Sequence, residues 1–409
     1  MKKKLFILLA CITMVSLLMA CAPATTPTTT PTSTAQPIKI GHLACFTGHS
    51  AAPNPWDISG MELAIAEYGG EVAGRPIELI NEDTASDPTV AVDKAKKLIE
   101  VDKVDVLVGP LPADGFIAVS AFDKDYGIPH MAIMQDLQED FKVGGDVFAH
   151  DGTLRNAYMI GFYAYDTMGA KTATVIQDDL PFAEEWLQAS MDGFYSRGGE
   201  IIQRQRTPMD TMDYGPYLAA MKEADVVFLW MVPDNAFRFV KQYYEYGIDM
   251  PLVFAGILTL GEDLRTQIGD DILGLISCYT TDPGVGTPEV NAFVDSWLEV
   301  NGNKSEAEGR YPYYAEGCSA YVTIQLFLEA VEATNGDTSP AAIEAALREI
   351  EADTPWGPVS FDEDGVGIGN MYIFKVVKKG ERYLNDIVAT YEQVRKDEPA
   401  DIRNIAPKM

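Results

Sequence analysis

From Ile38 onward the chain repeats one arrangement, a short apolar run followed by a segment whose apolar residues recur at three- and four-residue spacing. IKIGHLA, RPIELINED, VDVLVGP and IPHMAIM read as strands. PWDISGMELAIAEYGG, SDPTVAVDKAKKLIEVDK and residues 113–126 read as the helices between them, the second opened by Ser86 as cap with Pro88 in its first turn. Strands joined through helices return parallel to one another, so the pattern predicts a parallel sheet with right-handed crossovers. A second series follows the Gly-rich VGGDVFAHDG: a helix over 154–168, then TATVIQ, PFAEEWLQASMDGFYSRGG, EIIQRQRT, YGPYLAAMKE, DVVFLWM, NAFRFVKQYYEYG, PLVFAG and LGLISCYT. The expectation is an α/β protein with two separate doubly wound sheets, a boundary near residue 150 and a return crossing at TTDPGVGTPE.

The N-terminus belongs to neither series. Lys2, Lys3 and Lys4 precede LFILLACITMVSLLMA, an apolar run too short for a comfortable membrane span of roughly 20 residues. It reads as an export signal over residues 1–20. Leu18, Met19, Ala20 and Cys21 resemble the bacterial lipobox, in which cleavage before the cysteine accompanies attachment of a diacylglyceryl group to its sulfur. An ordinary signal peptide with a chance cysteine is the plainer alternative. Residues 21–37 are nearly all Ala, Thr, Pro and Ser and have no large side chains to bury, so they read as an extended leash.

Composition narrows the partners. The formal charge of −30 is opposite to what phosphate binding needs, so nucleic acid is not an expected partner. The acidity is read as solubility rather than as a statement about substrate charge. Cys45, Cys278 and Cys318 remain after cleavage and lipidation; they form no CxxC or zinc spacing, and a Cys278–Cys318 disulfide is left open. The four histidines lie in no short metal pattern, and neither a GxSxG elbow nor a P-loop occurs. FDEDGVGIGN departs from the EF-hand spacing and reads as a hairpin turn. No catalytic residue, metal or cofactor is expected, and the chain is not read as an enzyme.

The order IKIGHLACFTG, GMELAIAEYGG and GRPIELINEDTASDPTVAVDKAKKLIEVDKVDVLVGP resembles the branched-chain amino acid type of periplasmic solute-binding proteins. Gly60 through Ala66, Gly74 with Pro76, Asp83, Ser86 to Pro88, Ala91 with Ala95, and Gly109 with Pro110 carry the resemblance. PYYAEGCSAYVTIQLFLEAVEATNG and TPWGPVSFDEDG are similar to the family's closing helix and its turn into the last strands, so the likeness runs from Ile38 to about Val377. It implies two lobes joined by three crossovers, with residues 38–150 and 283–357 in lobe 1 and 151–282 and 358–409 in lobe 2. It further implies a monomer that captures a small organic solute, of the amino acid, aromatic acid or amide class, for an ABC permease and ATPase. A sensory protein presenting its bound state to a membrane receptor is the alternative.

In such sheets the ligand lies beyond the carboxyl ends of the strands. Those ends name Phe46, His49, Ser50 and Trp56; Pro112, Ala113 and Asp114; Met134, Gln135 and Asp136 in lobe 1. In lobe 2 they name Asp179, Phe182, Trp230, Asp234 and Leu258. The family's amino-acid binders place hydroxyls where Ala113 or Asp114 and Asp136 stand, and an acid for the ligand's ammonium where Leu258 stands, so the usual clamp is incomplete. Asp178, Asp234 and Asp282 are open as substitutes for that acid. Trp56, Phe182 and Trp230 suit a flat or apolar ligand. Asp114, Asp136 and Asp234 read equally well as helix caps, and Trp230 and Trp186 as core.

Overall fold

The computed structural model describes residues 35–134, 147–256, 262–307 and 314–395. The export signal, Cys21 and the leash up to residue 34 lie outside them, as do Gln135, Asp136 and Leu258.

The first sheet uses β1 (Ile38–Ala44), β2 (Glu71–Val72), β3 (Arg75–Asp83), β4 (Val106–Val108), β5 (His130–Met131) and β6 (Val147–Phe148), in the order β2-β3-β1-β4-β5-β6. All its pairings are parallel except the β2–β3 hairpin. β4 is buried throughout and β1 everywhere except Lys39, as a sheet covered by helices on both faces requires. The connecting helices are α1 (Asn54–Glu67), α2 (Pro88–Lys97) and α3 (Ala113–Asp123).

Two local expectations are corrected here. Asp87, not Ser86, caps α2: its Oδ1 accepts from Thr89 N at 2.8 Å and Val90 N at 3.1 Å. Proline at 88 holds residue 87 extended, which aims that side chain at the free N–H groups of the first turn. IPHMAIM forms only the two-residue strand β5, and the chain leaves it through Met134 at φ 53°.

The second sheet follows α4 (Thr153–Asp166) and contains β7 (Thr172–Asp178), β8 (Glu200–Thr207), β9 (Val226–Trp230), β10 (Leu252–Phe254) and β11 (Ile276–Tyr279), mutually parallel in the order β8-β7-β9-β10-β11. Its helices are α5 (Pro181–Ser196), α6 (Gly215–Ala219), α7 (Pro233–Glu245) and α8 (Glu262–Ile268). YGPYLAAMKE gives only the short α6. Gln203 of β8 takes the backbone groups that would extend it, donating to Ala220 O at 2.8 Å and accepting from Lys222 N at 2.6 Å.

The chain then forms α9 (Pro288–Ala307), α10 (Tyr314–Ala333) and α11 (Pro340–Arg348), which return to the first sheet's side. Trp56 of α1 packs on Trp297 at 5.8 Å between ring centroids, Ser59 donates to Asn301 at 2.8 Å, and Arg75 donates to Gly336 O at 2.7 Å. Strands β12 (Ala352–Thr354), β13 (Gly357–Phe361), β14 (Gly367–Lys379) and β15 (Arg382–Val394) complete the second sheet, β14 lying antiparallel to β11. FDEDGVGIGN is the β13–β14 hairpin turn, with Asp362 Oδ1 accepting from Asp364 N and Val366 N, both at 2.9 Å.

Each sheet is covered by a helix pair whose backbones touch through glycine. A Cβ on Gly60 would lie 2.0 Å from Gly317 O, locking α1 to α10; one on Gly193 would lie 2.0 Å from Tyr158 O, locking α5 to α4. No side chain fits either crossing. Among the described residues no helix is long and apolar enough to cross a membrane. Cys45, Cys278 and Cys318 are buried and free, so the disulfide left open by the sequence is not formed.

Candidate ligand-binding site

Parallel order places the carboxyl ends of the strands in each sheet along one edge. In the first sheet, β1 runs out through the loop 46–50, which is fixed to the end of β3. Thr47 Oγ1 donates to Asp83 at 2.9 Å, Ser86 Oγ donates to Thr47 O at 3.1 Å, and Ser50 N donates to Ser86 Oγ at 3.2 Å. Gly48 sits at φ 92° in this loop, where a Cβ would lie 2.3 Å from Ala85 O. Phe46 and His49 stand exposed on it. At the end of β4, Pro112 precedes α3, Ala113 opens it, and exposed Asp114 accepts from the next residue's N–H, at 2.9 Å. Beyond β5, Met134 N donates to Ser319 Oγ of α10 at 3.1 Å.

In the second sheet, Asp179 is exposed beyond β7, Phe182 falls in the first turn of α5, and Asp234 is exposed in the first turn of α7. Trp56 and Trp230, expected to stack on the ligand, are 3% and 5% exposed, Trp56 against Trp297 and Trp230 within the hydrophobic core. Trp186 is core, as the plainer reading had it, since a Cβ on Gly256 would meet its ring at 1.9 Å.

The crossings between the sheets are tied together at these same edges. Tyr279, the last residue of β11, donates to Asp151 Oδ2 at 2.8 Å, just beyond β6. Trp356, on the third crossing, lies 4.6 Å from the ring of His150 and 5.8 Å from that of Tyr279. Thr281 donates to Pro355 O at 3.0 Å. The carboxyl edges of both sheets thus converge on a buried joint made by all three passes of the chain.

A profile of periplasmic binding proteins matches residues 37–381. The chain belongs to the periplasmic binding protein family. A Leu/Ile/Val-binding protein homologue of Brucella suis is 26% identical over 372 residues, 88% of this chain and 93% of the relative. An ABC transporter substrate-binding protein from Sphaerobacter thermophilus superposes with a TM-score of 0.79 at 26% identity, covering 88% of this chain and 98% of that one. A solute-binding protein of an ABC transporter from Rhodopseudomonas palustris, solved with 3,4-dihydroxybenzoic acid, gives 0.76 at 24% identity over the same shares. These relatives are binding proteins, not enzymes, as expected of this one.

The acids of this periplasmic binding protein divide into committed and uncommitted. Asp178 accepts from Val232 N at 2.9 Å and Asn235 Nδ2 at 2.8 Å, fastening β7 to the start of α7. Asp282 accepts from Gly284 N and Asn385 Nδ2, both at 2.7 Å, beside Arg265. Both carboxylates thus already hold structural donors. Two acids the sequence reading passed over lie in the first turns of the crossing helices. Asp57, in the first turn of α1, is 2% exposed, and burial together with the Glu316 charge pushes its carboxyl well above the usual range. Glu316, in the first turn of α10, is pushed up to about 7 by burial. A signal for both existed: Asp57 is in helical phase with buried Gly60, Met61 and Ala64, and Glu316 with buried Ser319, Ala320 and Thr323.

Proposed function

We propose that this chain is the lipid-anchored, extracytoplasmic solute receptor of an ABC importer. Lobe 1 comprises residues 38–150 and 283–357, lobe 2 residues 151–282 and 358–409, and the leash 21–37 joins them to a lipid on Cys21. The solute enters between the carboxyl edges, touching Phe46, His49, Ser50 and the 112–114 turn on one side and the loops after β7, β9 and β10 on the other. Gln135, Asp136 and Leu258 complete that set by their place in the chain. The observation that carries the reading is the joint at Asp151, Tyr279 and Trp356, which brings both strand-end edges to one axis. The family match and the similarity to substrate-binding proteins of ABC transporters support it.

Closure follows from differential affinity. A solute bridging both edges gains contacts only when the lobes meet, and it shifts the open–closed equilibrium by that difference alone. A thermal-shift screen across amino acids, aromatic acids, amides, amines and polyols tests the binding claim. A solute at 100 times its dissociation constant adds about 2.7 kcal/mol to stability, and no shift with any class contradicts the reading. The anchor is tested separately: Cys21→Ser releases the protein from the membrane fraction, and the mature wild-type N-terminus carries the mass of a lipid. An unmodified N-terminus contradicts it.

A further inference from the structure

We propose that Asp57 and Glu316 form a cation subsite in the first lobe that receives a protonated amine of the solute; the inference rests on the solute-binding reading above and names the chemistry of its ligand. Asp57 lies one turn before Gly60, whose face of α1 is pressed against Gly317 of α10, and Glu316 is the residue before Gly317. The two carboxyls therefore flank one helix crossing. That crossing sits at the ligand edge: Cys45, at the exit of β1, feels the Asp57 charge and is bonded by the backbone of Leu111 beyond β4, while Ser319 holds Met134 beyond β5.

Among the described residues no positive charge bears on Asp57 or Glu316. Asp57 Oδ1 is buried with no hydrogen-bond partner among the described residues, and the charge that bears on Asp57 is the like charge of Glu316. The other ionisable groups among the described residues that feel the pair are Cys45 and Tyr279, with Asp151 behind Tyr279; none of them carries a positive charge. A buried carboxylate without a donor is costly. A primary ammonium brings three donors and one positive charge, which favours ionisation of the acids and satisfies them, whereas a ligand carboxylate brings a like charge to the same place. The amine enters against lobe 1, and the rest of the solute is left for the loops of lobe 2.

Calorimetric titration of the purified protein at neutral pH and low salt tests this with putrescine, L-lysine and L-leucine as amine probes and benzoate and 4-hydroxybenzoate as acid probes. The expected result is saturable binding of an amine, weakened at least tenfold by Asp57→Asn and by Glu316→Gln. Both variants are isosteric and each removes a carboxyl whose ionisation burial opposes, so the ligand-free melting temperature is kept or raised while affinity falls. A merely structural pair would not separate these two readouts. Binding of the acids but not the amines, amine affinity unchanged in both variants, or no amine binding at all overturns the subsite. The first two outcomes leave the solute-binding reading intact, and that reading fails on its own terms only if the wider solute screen is also silent.

Discussion

Burial holds the Glu316 carboxyl near 7, against an ordinary value of 4.5, so the folded chain keeps a proton there that the unfolded chain has lost. Stability falls with pH wherever the native state binds more protons, so the Glu316 contribution is lost as pH rises from about 4.5 through about 7. Glu316→Gln has no such group. Its stability relative to wild type should improve between pH 5 and pH 8 by up to about 3 kcal/mol, read from urea unfolding at both pH values; a pH-independent difference contradicts the burial argument. The comparison is made between variants because His42 acts oppositely. Burial lowers it to about 4, against the pull of its Asn81 hydrogen bond, so that stability is lost as pH falls below 6.5. Tyr279→Phe removes the hydroxyl that serves Asp151 at the joint and should cost about 1–3 kcal/mol, measured by the same unfolding. At this scale the sequence was least legible. A sequence does not show that Asn235 and Val232 donate to Asp178, or Gly284 and Asn385 to Asp282. Asp57 and Glu316 lie in first helical turns, where the macrodipole favours an acid, and only their phase with the apolar face sets them apart from other such acids.

Helices were legible wherever apolar spacing ran for three turns or more. α1, α4, α5 and α7 fall where the periodicity puts them, and proline opens α2, α5 and α7 at the position where its missing N–H costs nothing. Short elements were decided by tertiary partners instead, as where Gln203 takes the backbone groups that would extend α6. The glycine crossings belong to this scale. Gly60→Ala drives a methyl against Gly317 O, and Gly193→Ala does the same against Tyr158 O. Each should force the helices apart and destabilise by about 1–3 kcal/mol, seen as a lowered melting temperature. Gly69→Ala in the turn after α1 meets nothing within 4 Å but carries a φ of +70°, so its smaller cost is backbone strain alone. Equal melting temperatures for Gly60→Ala and wild type contradict the close crossing.

For the whole molecule, the alternation of strand and helix was enough to give two α/β sheets, since parallel strands demand crossovers and crossovers demand helices. Which residues meet at the joint was not readable. Asp151, Tyr279 and Trp356 are far apart in the chain and come together only because the chain passes three times between the sheets. The central claim is that the two lobes swing about that joint and shut on a solute bound between their strand-end loops. Small-angle X-ray scattering of the purified protein, with and without a saturating solute identified by the thermal-shift screen, tests it most directly. The account predicts a smaller radius of gyration in the saturated protein; an unchanged radius with the solute demonstrably bound contradicts it.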